Sequence, residues 1–313
     1  MHAPHHDHAL SLERGESHTH HHLGHAGGSS HFIWALSATL FFAGVEAFAG
    51  WWSGSLALIA DAGHMLTDSS SLGLAAMAAW LARRPPSSSH SYGLVRAEVL
   101  AALINSVAML ALVVFIMVEA FHRFGEPRPV AGGVVLVVAG IGLLVNLVVA
   151  WALSRGERTL NSRAALLHVF GDLLGSVAAI VSGAVILYTG WTPIDPLLSL
   201  FVATLIGFSA VRLLTETLHV LMEGVPAGID LDAVGDDLAT LPGVVRVHDL
   251  HVWTLTSDTL ALSAHLELHS LADWPRLLAE ARALLAERHA IRHVTLQPEA
   301  RDADSPPVDC ACG

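Results

Sequence analysis

Apolar residues gather into six long stretches, at about 32–52, 56–82, 94–123, 130–153, 161–189 and 196–222. Each is near or above the roughly 20 residues a helix needs to cross a bilayer. The breaks between them are polar or helix-breaking. Gly50 to Ser55 (GWWSGS) makes a tight turn, and Pro85 and Pro86 stop the second stretch because proline cannot continue a helix. GEPRPVAGG (125–133), SRGERTLNSR (154–163) and TGWTPIDP (189–196) separate the rest. Beyond residue 222 the pattern changes. DLDAVGDDLATL reads as an amphipathic helix, and GVVRVHDLHVWTL and DTLALSAHLELH alternate at period two, as half-buried strands do. ADWPRLLAEARALLAERH is a second helix and IRHVTLQPE a third strand. The expected fold is an α-helical membrane protein: six transmembrane helices, then a C-terminal α+β unit of order α-β-β-α-β, two helices on one face of a three-stranded sheet.

Composition sharpens that picture. The 313 residues are 53% hydrophobic and only 14% charged, against about a quarter charged in soluble chains. The net charge of −12 comes largely from the end of the chain: from residue 223 onward there are fifteen acidic residues and six arginines. An acidic surface excludes nucleic acid as a partner, since phosphate binding needs basic side chains. All sixteen basic residues are arginine. Arg83, Arg84 and Arg96 fall in the second-to-third connection and Arg155, Arg158 and Arg163 in the fourth-to-fifth. The first-to-second and fifth-to-sixth connections have none, while the third-to-fourth has Arg123 and Arg128. Positively charged loops stay in the cytoplasm, so both termini are expected inside, as an even number of spans requires.

Four segments are therefore expected: a histidine-rich disordered arm at 1–31, a membrane domain at 32–222, a cytoplasmic domain at 223–300 and a cysteine-bearing tail at 301–313. The arm holds nine histidines in residues 1–30 and a tenth at His31, interspersed with Asp, Ser and Thr rather than run together as in a tag. Such density suits loose, exchangeable metal capture. The start shows no basic region followed by an apolar one, so no cleaved signal peptide is expected. Cys310 and Cys312, one residue apart, make a poor disulfide pair.

The chemistry sits inside the spans. His64 and Asp68 in the second stretch are spaced i, i+4, which places them on one face of a helix. The fifth stretch repeats the spacing with His168 and Asp172. Ionisable groups in membrane spans usually mark a transport path or a bound ion. Two facing carboxylates would repel unless one took a proton or a cation sat between them. Two imidazole nitrogens and two carboxylate oxygens make a four-coordinate set suited to tetrahedral zinc. Asp61 shares the His64 face and is expected to support it, as carboxylates do for metal-bound histidines; the alternative is a helix-start role. Glu46, Asn105 and Asn146 are read as interhelical hydrogen-bonders or as lining a wet path, not as ligands. Gly63, Ser69, Gly171, Gly175 and Ser176 are small enough for helices to approach closely.

ADAGHMLTDSSSL, SYGLVRAEVLAALIN, NSRAALLHVFGDLLGS and VHDLHVWTL…LSAHLEL together resemble the cation diffusion facilitator family, in its bacterial zinc-exporting branch, over roughly 31–300. The resemblance implies a homodimer in the bacterial inner membrane with a metallochaperone-like cytoplasmic domain. It implies exchange of cytoplasmic Zn2+ for protons, a secondary antiporter and not an enzyme, with His64, Asp68, His168 and Asp172 as the transport site. Histidine at position 64 goes in this family with a preference for zinc over cadmium. The same resemblance points to a cytoplasmic metal site through His248 and His265, with His251, Glu299, Cys310 and Cys312 as further candidates and zinc as regulator as well as cargo. Some relatives bind another ion in the second-to-third loop; here only His90 remains of that set, beside Ser87 and Leu94, so that site is expected to be absent or weak. Two alternatives stay open at this level: a non-transporting membrane zinc sensor, and an intramembrane metalloenzyme. The second lacks the HExxH pattern such enzymes use.

Overall fold

The computed structural model describes residues 26–154, 160–256 and 259–301, and the side chains at 26–36, 38, 152–154 and 160–170 are outside that description. Most of the arm expected at 1–31, and Arg155, Arg158, Cys310 and Cys312, lie outside the described residues. Six long helices come first: α1 (Ala26–Ser53), α2 (Leu56–Ala82), α3 (Ala97–Gly125), α4 (Gly132–Ser154), α5 (Leu160–Thr189) and α6 (Ile194–Leu221). α3 starts three residues later than its apolar stretch, because residues 91–96 form turns instead of a first helical turn. Four of the six, in α3, α4, α5 and α6, are long and apolar enough by length and composition to cross a membrane. α2 is less apolar, since Asp61, His64, Asp68 and Ser69–Ser71 interrupt it.

α2 is the central helix, packed on α1, α3, α5 and α6, while α4 pairs with α5 and α3 with α6. Its start is fixed from a distance. The Ser55 hydroxyl accepts from Leu58 N at 3.3 Å, a serine N-cap. Asp195 of α6, fully buried, accepts from Leu56 N and from the Ser55 hydroxyl, each at 2.6 Å, and from the Ser182 hydroxyl of α5 at 3.2 Å. Arg123 of α3 balances that charge at 3.6 Å, donates to the Gly54 carbonyl and pairs with Glu119 at 3.0 Å. Arg128 also pairs with Glu119, at 3.1 Å.

The helical part is apolar outside and polar inside. Phe41, Phe115, Phe201 and Phe208 are exposed on its flanks, whereas Glu46, Asp61, Asn146, Ser176 and Asp195 are buried. That much exposed apolar surface would not stay monomeric in water. Trp51, Trp52, Tyr188 and Trp191 ring the end that carries the α1–α2 and α5–α6 connections, where aromatic belts meet a membrane interface.

The C-terminal part has ordinary polarity and a small α/β fold. α7 (Leu231–Ala239), β1 (Val244–Thr256), β2 (Thr259–Leu268), a 3-10 turn (Leu271–Asp273), α8 (Trp274–His289) and β3 (His293–Ala300) follow in order. The sheet runs β1-β2-β3, the first pair antiparallel and the second parallel. Val234 and Leu238 of α7 and Leu277, Ala281 and Leu285 of α8 pack on Val252, Leu262, Leu266 and Leu268 in one core. Both helices therefore cover one face, and alternate residues of β2, including His265, point away from that core.

Candidate metal centre

α2 and α5 bring three of the four intramembrane candidates together. His64 Nε2 lies 3.4 Å from Asp68 Oδ2 on its own helix and 3.5 Å from Asp172 Oδ1 across the bundle. All three ligand atoms fall within 4.8 Å of one another. Their side chains are mostly buried, 12%, 15% and 13% exposed. These spacings carry chemical information. Tetrahedral zinc with bonds of about 2.1 Å separates its ligand atoms by about 3.4 Å, and the two spacings from His64 to the carboxylates match that edge length. His168 belongs to α5, one turn before Asp172, but its side chain is outside the described residues.

Asp61 is not part of that triad. One turn before His64, it is turned toward α5: its Oδ2 accepts from the Ser176 hydroxyl at 3.3 Å, and Asn146 of α4 donates to the same hydroxyl at 3.2 Å. Its Oδ1 lies against Gly175, where a Cβ would stand 2.5 Å away, so only glycine admits the carboxylate. The helix-start alternative for Asp61 does not hold, since Ser55 caps α2 and Asp61 is a turn and a half inside it. Glu46 of α1 is fully buried, and among the described residues neither of its oxygens has a hydrogen-bond partner.

The sheet carries a second cluster on its open face. His248 Nε2 lies 3.0 Å from Glu299 Oε2, and His265 Nδ1 lies 2.8 Å from Glu299 Oε1. The two imidazoles meet edge to face at 5.3 Å, and the three side chains again offer atoms within 4.8 Å. Cross-strand pairing of His248 with His265 sets this up. His251 shares their face only because the register shifts between His248 and His251, a bulge that inserts an extra residue. It turns aside to Asp249 at 3.0 Å instead of joining the cluster. Asp249, at φ 51°, also approaches His265 Nε2 at 3.6 Å. Sequence reasoning missed this acid; its only signal was its place between two histidines. His90 sits exposed in the α2–α3 connection, its Nδ1 3.1 Å from the Ser89 hydroxyl, in no cluster with other candidate ligands among the described residues.

Both parts of the chain match known proteins. The profile of the cation efflux transmembrane domain matches residues 32–222, and that of the cation efflux protein cytoplasmic domain matches 226–301. The chain belongs to the cation efflux family. It is 40% identical over 302 residues to the zinc transporter ZitB of Escherichia coli, covering 96% of each chain. It is 38% identical over 287 residues to a cadmium, cobalt and zinc/H(+)-K(+) antiporter of Bacillus velezensis, covering 89% of this chain and 91% of that one. A solved structure, the metal-bound C-terminal domain of the CzcD transporter from Cupriavidus metallidurans, shares 37% identity over 23% of this chain and 99% of its own length, at a TM-score of 0.21. Members of the cation efflux family are cation transporters, which removes the intramembrane enzyme as an alternative.

Proposed function

We propose that this cation efflux protein moves Zn2+ out of the cytoplasm in exchange for protons, with His64, Asp68, His168 and Asp172 as the transport site. The single observation that carries the reading is the triad around His64 Nε2, with carboxylate oxygens of two helices at 3.4 and 3.5 Å. Neutral imidazole binds the metal and imidazolium does not, and an unperturbed histidine titrates near pH 6.5. Protons and zinc therefore compete for one set of atoms, so loading one releases the other. No covalent step is needed.

The same reading assigns six transmembrane helices to 32–222, flanked by the arm at 1–31, the cytoplasmic domain at 223–300 and the tail at 301–313. Both termini face the cytoplasm across the inner membrane. Arg123 and Arg128, the exceptions in the arginine pattern, are both engaged by Glu119 and, for Arg123, by Asp195. The orientation rests instead on the six arginines of the second-to-third and fourth-to-fifth connections against these two. The molecule acts as a homodimer. His248, His265 and Glu299 hold a second zinc in the cytoplasmic domain, where it acts as a regulator.

Zinc uptake by inside-out vesicles tests the assignment. Asp68→Ala and Asp172→Ala should each abolish uptake driven by a proton gradient, and normal uptake in both variants would sink it. A zinc sensor that does not transport would give no zinc-dependent proton flux even in the unaltered protein.

A further inference from the structure

The transport site is not the last polar layer in the bundle. Asp61 lies one turn from His64 and Ser176 one turn from Asp172, both displaced toward the end that carries the α1–α2 and α5–α6 connections. Asn146 of α4 joins this layer through its 3.2 Å bond to Ser176. Glu46 of α1 completes it. Its Oε1 lies where a Cβ on Gly142 would stand 2.6 Å away, one turn along α4 from Asn146. Both Glu46 oxygens are buried, without a hydrogen-bond partner among the described residues. Two glycines, 142 and 175, hollow out α4 and α5 where the two carboxylates rest.

A buried carboxylate with no donor is costly to keep unless a cation serves it. The oxygens available here come from four helices: two carboxylates, one amide and one hydroxyl. We infer that Glu46 and Asp61, with Asn146 and Ser176, form a second divalent-cation position, through which the ion passes between the transport site and the α1–α2 end of the bundle. The all-oxygen set is harder than the histidine-containing one and holds zinc less tightly. A weak position beside a tight one suits release, since passage needs sites that bind strongly enough to enter and loosely enough to leave. Adjacent turns are about 5 Å apart along a helix, so two cations in the two layers would repel and an arriving ion would help expel its predecessor. The direction of traffic rests on the proposed export reading; the existence of the position does not.

A probe specific to position 46 tests it in the full-length protein in lipid nanodiscs. With Cys310 and Cys312 changed to Ser, Glu46→Cys supplies one buried thiol, and cadmium titration is followed by the near-ultraviolet absorption of the cadmium–thiolate bond. The histidine-rich arm gives no such band. The expected result is a saturable band at one cadmium per protomer. It should persist when Asp68 and Asp172 are also changed to Ala, and its midpoint should weaken by about 10-fold in Asp61→Asn. No band in monodisperse protein, a midpoint indifferent to Asp61→Asn, or a band lost with Asp68 and Asp172 overturns the separate position. Should the thiol variant misfold, Glu46→Gln is the second arm: zinc flux in proteoliposomes is expected to fall by about 10-fold with equilibrium zinc binding retained, and unchanged flux overturns the proposal. If the unaltered protein moves no zinc, the export reading fails, and the cadmium band still decides this one.

Discussion

The helical bundle and the C-terminal sheet each collect histidine and carboxylate into a cluster of the same span, by opposite means. In the bundle the candidate ligands come from helices whose flanks are apolar, and they are mostly hidden, at 12–15% exposure. In the sheet they stand on the face opposite the core, where His248 is 14% exposed but His265 and Glu299 are open at 30% and 35%. Water and protons reach the second cluster directly, whereas they reach the first only as the helices allow. The same kinds of side chain thus stand in two settings with different access. A hidden site couples occupancy to helix movement; an open one equilibrates with the surrounding solution.

Substitutions perturb the bundle and the sheet separately. The largest effect is expected in the bundle. Asp195→Ala removes the acceptor of Leu56 N and Ser55 and leaves Arg123 with less compensation. Disrupting a buried ion pair from one side costs about 3–5 kcal/mol, visible as a lowered thermal midpoint in detergent. An unchanged midpoint would deny the bundle its long-range anchor. On the sheet side, Leu266→Ala empties a fully buried core position and should cost about 2–5 kcal/mol. Circular dichroism should show the loss, while the near-His64 geometry, read by zinc uptake per folded protein, stays close to normal.

His265→Ala separates the two clusters by function. It takes one of three ligand atoms from the sheet cluster and should weaken zinc binding there by about 10-fold or more. Vesicle uptake at saturating zinc should change little; a collapse of uptake would mean the sheet cluster lies on the transport route. The smallest effect concerns pH. The hydrogen bond from His289, together with Arg288, holds the Asp237 carboxyl below its usual value and ties α7 to α8. A carboxyl with a depressed folded-state pKa stabilises the fold above its unfolded pKa, and that gain is lost as pH falls through the folded value. The C-terminal part should therefore lose stability on the acid side, and Asp237→Asn should flatten that dependence in acid-melting curves.

Much of the local structure was legible in the sequence because its causes are local. The i, i+4 pairing of His64 with Asp68 needs only helical periodicity, and the alternation of β2 predicts which residues point away from the core. What was not legible depends on partners far along the chain. Asp195 reads as a loop-end acid, yet it meets Ser55 and Leu56 about 140 residues away. Arg123 and Arg128 look like loop charges until Glu119 and Asp195 are placed beside them. The bulge that carries His251 past His265 toward Asp249 follows from a register shift that period-two alternation cannot reveal.

The Asp195 anchor also makes α2 a lever. Its hydrogen bonds to Ser55 and Leu56 fix one end of the helix, and its bond with Ser182 fixes α5 near the same level. Asp68 lies thirteen residues from Ser55, an arm of about 20 Å. A tilt of about 10° at that fulcrum would sweep Asp68 through about 3.5 Å, a full ligand-to-ligand spacing of the metal centre. Small rotations at a clamped end thus suffice to take a coordination shell apart, with no bond in the clamp broken.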